Sequence, residues 1–461
     1  MNPNDFRRHG HEMVEWIANY LETVRDRRVL PDVKPGEVFD RLPAHAPDTA
    51  EPFAQIMQDF EAQILTGSTL WNHPRFFSYF AISSTPPSIL AEFLAAAINQ
   101  NGILWKSGPA LTELEQVTLG WLREWLGLPP EYFGIMYDTA SVSTLHALIA
   151  ARQFVVPDTR RHGARHDLVV YTSDQAHSSI EKGALALGFG EENVRKIATD
   201  ENFAIRLDLL EAAIQKDLTE GRVPCCVVAC VGATPTASVD PIAQVITLAR
   251  HYGMWIHVDA AYAGPAAMLP ECAPHFAGWD HADSIVLNPQ KWMLTNVDIS
   301  VLYLRHKEAL SDAIGLTPEY LRTTADPRML NYMDYSVALG RRFRALKLWF
   351  VMRSYGRDGI SEMLRRHNAD ARWLRQQIEA DPRFEISAPT HFSLVCFRLK
   401  ATNQVNQQLL DALNQSGFAF IAHTLQNGQY VLRFAIGNYM TTRDDIAQTW
   451  TRIQELATGL V

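Results

Sequence analysis

Residues 223–264 read VPCCVVACVGATPTASVDPIAQVITLARHYGMWIHVDAAYAG. An apolar run rich in β-branched residues comes first. A stretch of helical periodicity follows Pro241, and a second apolar run ends in Asp259. Strand, helix, strand is the pattern of a βαβ unit. The same alternation continues on both sides. "DLVVYTS" (167–173) reads as a strand and "SSIEKGALALG" (178–188) as a helix, while "ADSIVLNPQKW" (282–292) and "SVLYLRHKEAL" (300–310) supply further strands. Strands separated by helices imply a largely parallel sheet covered on both faces.

The 461 residues exceed one ordinary domain. Residues 1–84 read as a helical segment with Pro-rich connections. "DFRRHGHEMVEWIANYLETV" (5–24) is amphipathic with no local partner, which suits packing on a second subunit. Residues 85–360 carry the βα alternation, and 361–461 read as a smaller α+β domain. The formal charge of −9 argues against nucleic-acid binding. No apolar run reaches the roughly 20 residues needed to cross a bilayer. The N-terminus lacks the apolar core of a signal peptide. These features, with five cysteines that form neither a disulfide framework nor a metal-ligand spacing, point to the cytoplasm and to no metal.

No Walker A loop, GxGxxG, HExxH or GxSxG is present. The informative pair is Asp259, at the end of "MWIHVD", and Lys291, inside "LNPQKWML". Ligands of open parallel sheets bind at the carboxyl ends of strands. A buried carboxylate needs a partner, and a protonated ring nitrogen is one. A confined lysine amine is a nucleophile for a carbonyl. Together they fit a pyridoxal phosphate (PLP) site; the plainer alternative is a turn-capping Asp259 and an exposed Lys291. Thr139, Ala140 and Ser141 precede a helix and could form an anion site there, or merely cap it. His177 after "VYTS" could stack on a flat ring, or be an ordinary surface or core histidine. Thr234 lies at the end of a third strand.

"YTSDQAHSSIEKGA" (171–184), "HVDAAYAG" (257–264), "NPQKWM" (288–293) and "LGRRFRALKLWFVMRSYG" (339–356) resemble the motifs of the aromatic-L-amino-acid decarboxylase family, the group II PLP-dependent decarboxylases. "HPRFFSYFAISSTPPSILAEFL", "SGPALTELE" and "FSLVCFRL" match as well, so the likeness covers nearly the whole chain. It implies PLP fold type I (aspartate aminotransferase-like) and a homodimer with active sites at the subunit interface. It also implies that Lys291 binds PLP as a Schiff base, Asp259 keeps the pyridinium protonated and His177 stacks on the ring. Thr139, Ala140, Ser141 and Asn288 would hold the phosphate, with Thr234 beside the cofactor. The proton returned to Cα would come from Tyr332, seven residues before "LGRR", on a lid loop "GLTPEYLRTTADPRMLNYMDYS" (315–336).

The resemblance places Trp71, Tyr79, Phe80, Ala81 and Ile82 along the substrate pocket, with Ile103 lining the pocket of a neighbouring subunit. Relatives usually carry Pro and a small hydroxyl residue where this chain has Ala81–Ile82. Ser393 sits where plant relatives have Gly for indole substrates and Ser for phenolic ones. The implied reaction is decarboxylation of tyrosine, DOPA or phenylalanine, ahead of tryptophan, to the arylalkylamine. The alternatives are an aldehyde synthase, for which a residue other than tyrosine at 332 would be expected, and a decarboxylase of histidine or a non-aromatic amino acid. Gln290 departs from the His or Ser usual before the lysine.

Overall fold

The apolar runs of the central region form one sheet. The structure is a computed structural model and describes residues 1–316 and 329–460. These divide into two compact units. One comprises Met1–Ala81, Gln376–Glu385 and Phe397–Val461; the other comprises Ile82–Arg375 and Ile386–Cys396.

Seven described strands of the second unit form one sheet: β1 (Phe133–Tyr137), β2 (Leu168–Ser173), β3 (Val194–Ile197), β4 (Val223–Cys230), β5 (Trp255–Asp259), β6 (Ser284–Leu287) and β7 (Ser300–Leu304). Their order across the sheet is β1-β7-β6-β5-β4-β2-β3. β3, β2, β4, β5 and β6 pair in parallel, and β7 runs against both of its neighbours. β2, β6 and β7 are buried along their whole length. That explains why they read as continuous apolar runs rather than alternating ones.

The helix Ala140–Val155 covers one face. Its N-cap Thr139 accepts the Val142 N–H at 3.4 Å, and it buries Ala147, Leu148, Ala150 and Ala151. These pack with Val170, Val228, Trp255, Val286 and Leu302 of the sheet. Small residues on the helix let it lie close to the strands. The strand ends that follow β1, β2, β4, β5 and β6 therefore reach a common edge.

In the first unit, Phe76–Phe77 pairs in parallel with Phe420–Gln426, which pairs antiparallel with Gln429–Ala435. Phe77 stacks on Phe434 at 4.1 Å, and the Asn438 amide donates to the His73 carbonyl at 3.1 Å. Arg25 pairs with the buried Asp445. The N-terminal residues thus share a unit with the C-terminal ones. Contacts spanning several hundred residues make that unit, and no local pattern announces them. All five cysteines are buried and none is in a disulfide. No described helix is long and apolar enough to cross a membrane.

Candidate active site

A cavity of about 200 Å³ opens at the carboxyl ends of the parallel strands. Asp259, the last residue of β5, and Lys291, in the short helical turn Pro289–Trp292 after β6, both line it. Asp259 Oδ1 accepts the Ala261 N–H at 3.0 Å, so it caps a turn and faces the cavity at once. The two loops are tied together: Asn288 N–H donates to Ala261 O at 3.0 Å, and Ala260 N–H to Val286 O at 3.0 Å. Backbone hydrogen bonds thus set the spacing of the acid and the amine.

Thr139, Ala140, Ser141, His177, Thr234 and Asn288 line the same cavity. The first three bring the N-terminus of the helix Ala140–Val155 to it, where backbone N–H groups and the helix dipole favour an anion. Gly232 follows β4 with φ +84; a Cβ there would lie 2.7 Å from the Ala263 Cβ. Only glycine permits that approach of two strand-end loops.

Ser179 fixes the state of His177. Its N–H donates to His177 Nδ1 at 3.1 Å, and its hydroxyl lies 2.8 Å from the same nitrogen. A ring nitrogen that accepts an N–H carries no proton, so neutral His177 carries its proton on Nε2. The His177 pKa is lowered, chiefly by desolvation; Asp259 opposes this, and Lys291 and Lys182 add to it. The imidazole is therefore neutral at physiological pH. It carries an Nε2–H donor.

Behind the cavity wall, Asp240 accepts the N–H groups of Cys230 and Ile205 at 2.7 and 2.8 Å. Burial raises its pKa to about 6. Burial also pushes the Cys230 thiol well above its ordinary range, with Asp240 and Asp259 adding to the effect. Cys230 on this wall is a neutral thiol.

Tyr332 lies elsewhere. It is 1% exposed, its hydroxyl is 3.5 Å from the Gly134 carbonyl, and the Arg341 guanidinium sits 4.3 Å from its ring centre. It lines a separate cavity with Leu119, Phe133 and Tyr303. Arg341 in turn pairs with the buried Glu115 at 2.6 Å and donates to Met136 O at 2.8 Å. The Tyr137 hydroxyl donates to Tyr335 O at 2.5 Å, and Val337 N–H to His146 Nε2 at 3.1 Å. These contacts seat the segment against β1 and the helix Ala140–Val155. Residues 317–328 of the expected lid loop lie outside the described residues.

Among the expected substrate residues, Trp71, Tyr79, Phe80 and Ala81 belong to the first unit. Trp71 and Tyr79 stack there at 5.5 Å, and Arg433 lies over Phe80. Ile82 and Ile103 belong to the second unit but do not line the cavity. Ser393 does not line it either. It is 1% exposed and bound to Tyr262: the two hydroxyls are 2.5 Å apart, and Ser393 N–H donates to the Tyr262 oxygen at 3.2 Å. Tyr262, stacked on Trp292 at 4.9 Å, is the residue that faces the cavity. Sequence reading passed over Tyr262, Ser179 and Gly232, although each lies within a few residues of a motif it used.

The family profile described as the pyridoxal-dependent decarboxylase conserved domain matches residues 35–400. The chain is 40% identical to phenylacetaldehyde synthase of Arabidopsis thaliana, across all of this chain and 97% of that one. It is 38% identical to aromatic-L-amino-acid decarboxylase of Cavia porcellus, across all of this chain and 99% of that one. The crystal structure of Oryza sativa TDC with PLP and tryptamine superposes with a TM-score of 0.97 at 35% identity, covering 100% of this chain and 99% of that one.

The chain belongs to the pyridoxal-dependent decarboxylase family, with the type I fold of PLP enzymes. It is a PLP-dependent enzyme of the carboxy-lyase class. The cavity fits that cofactor. It offers an amine for the aldehyde, a carboxylate for the ring nitrogen and a helix N-terminus for the phosphate. Asn288 also lines the cavity, and the NH2 end of its amide is a donor of the kind a phosphate needs.

Proposed function

We propose that the chain decarboxylates an aromatic L-amino acid to the arylalkylamine and CO2, with tyrosine, DOPA or phenylalanine ahead of tryptophan. The observation that carries this reading is the meeting of Lys291, Asp259 and the neutral His177 in one cavity. PLP, when bound there, supplies the electron sink that loss of CO2 from Cα requires. Lys291 would hold the aldehyde carbon, and Asp259 would keep the ring nitrogen protonated. Thr139, Ala140, Ser141 and Asn288 would bind the phosphate, and Thr234 would lie along the cofactor. The Nε2–H of His177 would hydrogen-bond the substrate carboxylate or the ring face. Tyr332 would return the proton to Cα, which requires its segment to leave the seat beneath Arg341.

Trp71, Tyr79, Phe80, Ala81, Ile82 and Ile103 would recognise the aromatic side chain. Ser393 would act through Tyr262. The phenolic preference rests on Ser393 and on the relatives named as aromatic-amino-acid or tyrosine decarboxylases.

A second reading, aldehyde synthesis, is favoured by two observations: Tyr332 is buried outside the cavity, and a phenylacetaldehyde synthase is 40% identical. An amino-acid panel separates the two. Both reactions release CO2; decarboxylation leaves the amine, whereas the synthase consumes O2 and water and leaves aldehyde, ammonia and peroxide.

A homodimer is part of the proposal. The 21-residue helix Pro3–Thr23 buries none of its residues, and the helix Pro86–Ile98 exposes Leu90, Phe93, Leu94 and Ile98. A second copy would cover these faces. A mass near twice 52.0 kDa by light scattering supports this, and a monomer at working concentration contradicts it. Five reduced, buried cysteines are in keeping with a cytoplasmic site of action.

A further inference from the structure

The cavity that Tyr332 lines is separate from the cofactor site and different in character. Its volume is about 460 Å³, within the usual range for a site that takes a small molecule. Tyr132, Phe133, Tyr303, Tyr332 and Tyr335 supply aromatic rings to its wall. The hydroxyls of Tyr132 and Tyr303 donate to the carbonyls of Ala282 and Leu119, so these two residues offer ring carbons to the cavity. Gly120 lies on the same wall, inside the helix Pro109–Trp125. A glycine there weakens the helix. A Cβ at Gly120 would nevertheless meet no neighbouring atom within 4 Å. Packing does not require this glycine; its effect is to leave the cavity open.

The charges on this wall are all of one sign. Arg123 and Lys307 line the cavity, and no Asp or Glu does among the described residues. Arg123 Nη1 donates to the Pro130 carbonyl at 3.0 Å, while its buried Nε has no hydrogen-bond partner among the described residues. The Lys307 ammonium lies 5.5 Å from the centre of the Phe133 ring and pairs with no described carboxylate. Glu308, close enough to act on Tyr335, is exposed and does not line the cavity. A buried guanidinium N–H without an acceptor is costly, and a carboxylate is the acceptor that suits it best. Rings and two cations together select a flat aromatic acid. An ammonium group would find no counter-charge there.

We propose that this cavity is a second ligand site for an aromatic carboxylate without an amine, an arylacetate or arylpropanoate. The charges of Arg123 and Lys307 hold its carboxylate, and Phe133, Tyr303 and Tyr332 receive its ring. An occupant that touches Tyr332 makes contacts that exist only while Tyr332 keeps its seat. It therefore favours the seated segment and withholds the proton donor from the cofactor site. This consequence rests on the reading of Tyr332 as the proton donor; the binding itself uses no residue of the cofactor cavity.

The test titrates 3-phenylpropanoate into the full-length, PLP-loaded protein by calorimetry and follows hydrogen exchange of the Val337 amide, which His146 Nε2 holds. At a concentration ten times the dissociation constant, exchange should slow by about tenfold, as binding to the seated state alone requires. 2-Phenylethylamine, the same ring with the opposite charge, should not slow it. Gly120→Phe fills the cavity and should abolish both the binding and the protection. Lys307→Gln should weaken binding by about tenfold, within the range for a hydrogen bond to a charged group, and serves if the bulkier variant does not fold. Amine formation by the native protein should fall as the acid is added, without competition from the amino acid, and this inhibition should vanish in Gly120→Phe. Binding and protection that survive in both variants would place the acid elsewhere and overturn the proposal. So would equal protection by 2-phenylethylamine. A native protein that forms no amine would instead overturn the decarboxylase reading, and calorimetry and exchange would still decide the second site.

Discussion

The cavity at the strand ends and the segment that carries Tyr332 belong to the same unit and are held in opposite ways. Lys291, Asp259, Asn288 and Gly232 lie at or within a few residues of the ends of buried strands. Short backbone hydrogen bonds between neighbouring loops fix them. Tyr332 lies far along the chain from any strand end that faces the cavity. Side chains hold it: Arg341 over its ring, Glu115 behind Arg341, Tyr137 and His146 on the following backbone. Backbone ladders give a site that is in place before any ligand arrives. Side-chain contacts give a seat that can be exchanged for another at modest cost. A fixed binding floor with a releasable proton donor is the arrangement that the proposed chemistry calls for.

The comparison breaks most visibly at Lys291. Lys291→Ala should lower turnover by on the order of 10⁴-fold or more, the scale of losing a covalent nucleophile. The overall fold should be retained by circular dichroism. A variant retaining a tenth of native turnover would remove the lysine from its role.

At the other region, Tyr332→Phe should lower amine formation by about 100-fold, the lower end for losing a general acid, while PLP binding stays native. Aldehyde should rise as a share of product. If amine yield is unchanged, the proton comes from another group.

The seat of the segment is tested next. Glu115→Ala leaves Arg341 buried without its counter-charge and the Met136 N–H without an acceptor. The expected loss of stability is about 3–5 kcal/mol, read by denaturant titration. Cleavage by trypsin near Arg341 should accelerate. Equal stability would mean that the segment is held by other contacts.

Acid acts on both regions. His146, whose Nε2 accepts the Val337 N–H, and the buried His257 on β5 have pKa values lowered to about 4, mainly by desolvation. Each folded value lies below the unfolded value near 6.5. Their contribution is complete above that pH and is lost as pH falls toward 4, by about 3 kcal/mol apiece. Asp240 opposes them. Its pKa is raised to about 6, so its contribution is lost as pH rises through 6 and regained on acidification. Denaturant midpoints at pH 7 and 4.5 should show a net loss. His257→Gln should show a smaller one.

The smallest effect is expected at Ser179. Ser179→Ala keeps the backbone N–H on His177 Nδ1 and removes the hydroxyl. Turnover should fall by about tenfold, within the range for one hydrogen bond of about 1.4 kcal/mol. The ¹⁵N shifts of His177 should keep the Nε2–H form, because the backbone N–H still occupies Nδ1. Unchanged turnover would show that the backbone N–H alone is enough to hold the ring.

The two regions also differ in how far they could be read from the sequence. β4, the helix after it and β5 were legible because each is set by residues adjacent in the chain. Asp259 and Lys291 were legible because a charge at the end of an apolar run is costly without a partner. Ser393 was expected in the cavity wall and lies behind Tyr262, a contact across 131 positions of sequence. The burial of Tyr332 depends on Gly134 and Arg341, the first of them 198 positions away. The joining of the N-terminal residues to the C-terminal ones depends on pairs such as Arg25 with Asp445. Periodicity and motif spacing carry no record of such meetings. Gln290 was visible as an oddity, and only the Ile299 N–H on its oxygen shows which way it faces.

The most direct test of the central claim is to locate the cofactor. The protein is loaded with PLP, reduced with borohydride, digested and mapped by mass spectrometry. The account predicts a single pyridoxyl group on the peptide containing Lys291, and none when Asn288 and Lys291 are both replaced by alanine. A label on a different lysine, or no stable label in a protein that still decarboxylates amino acids, would contradict it.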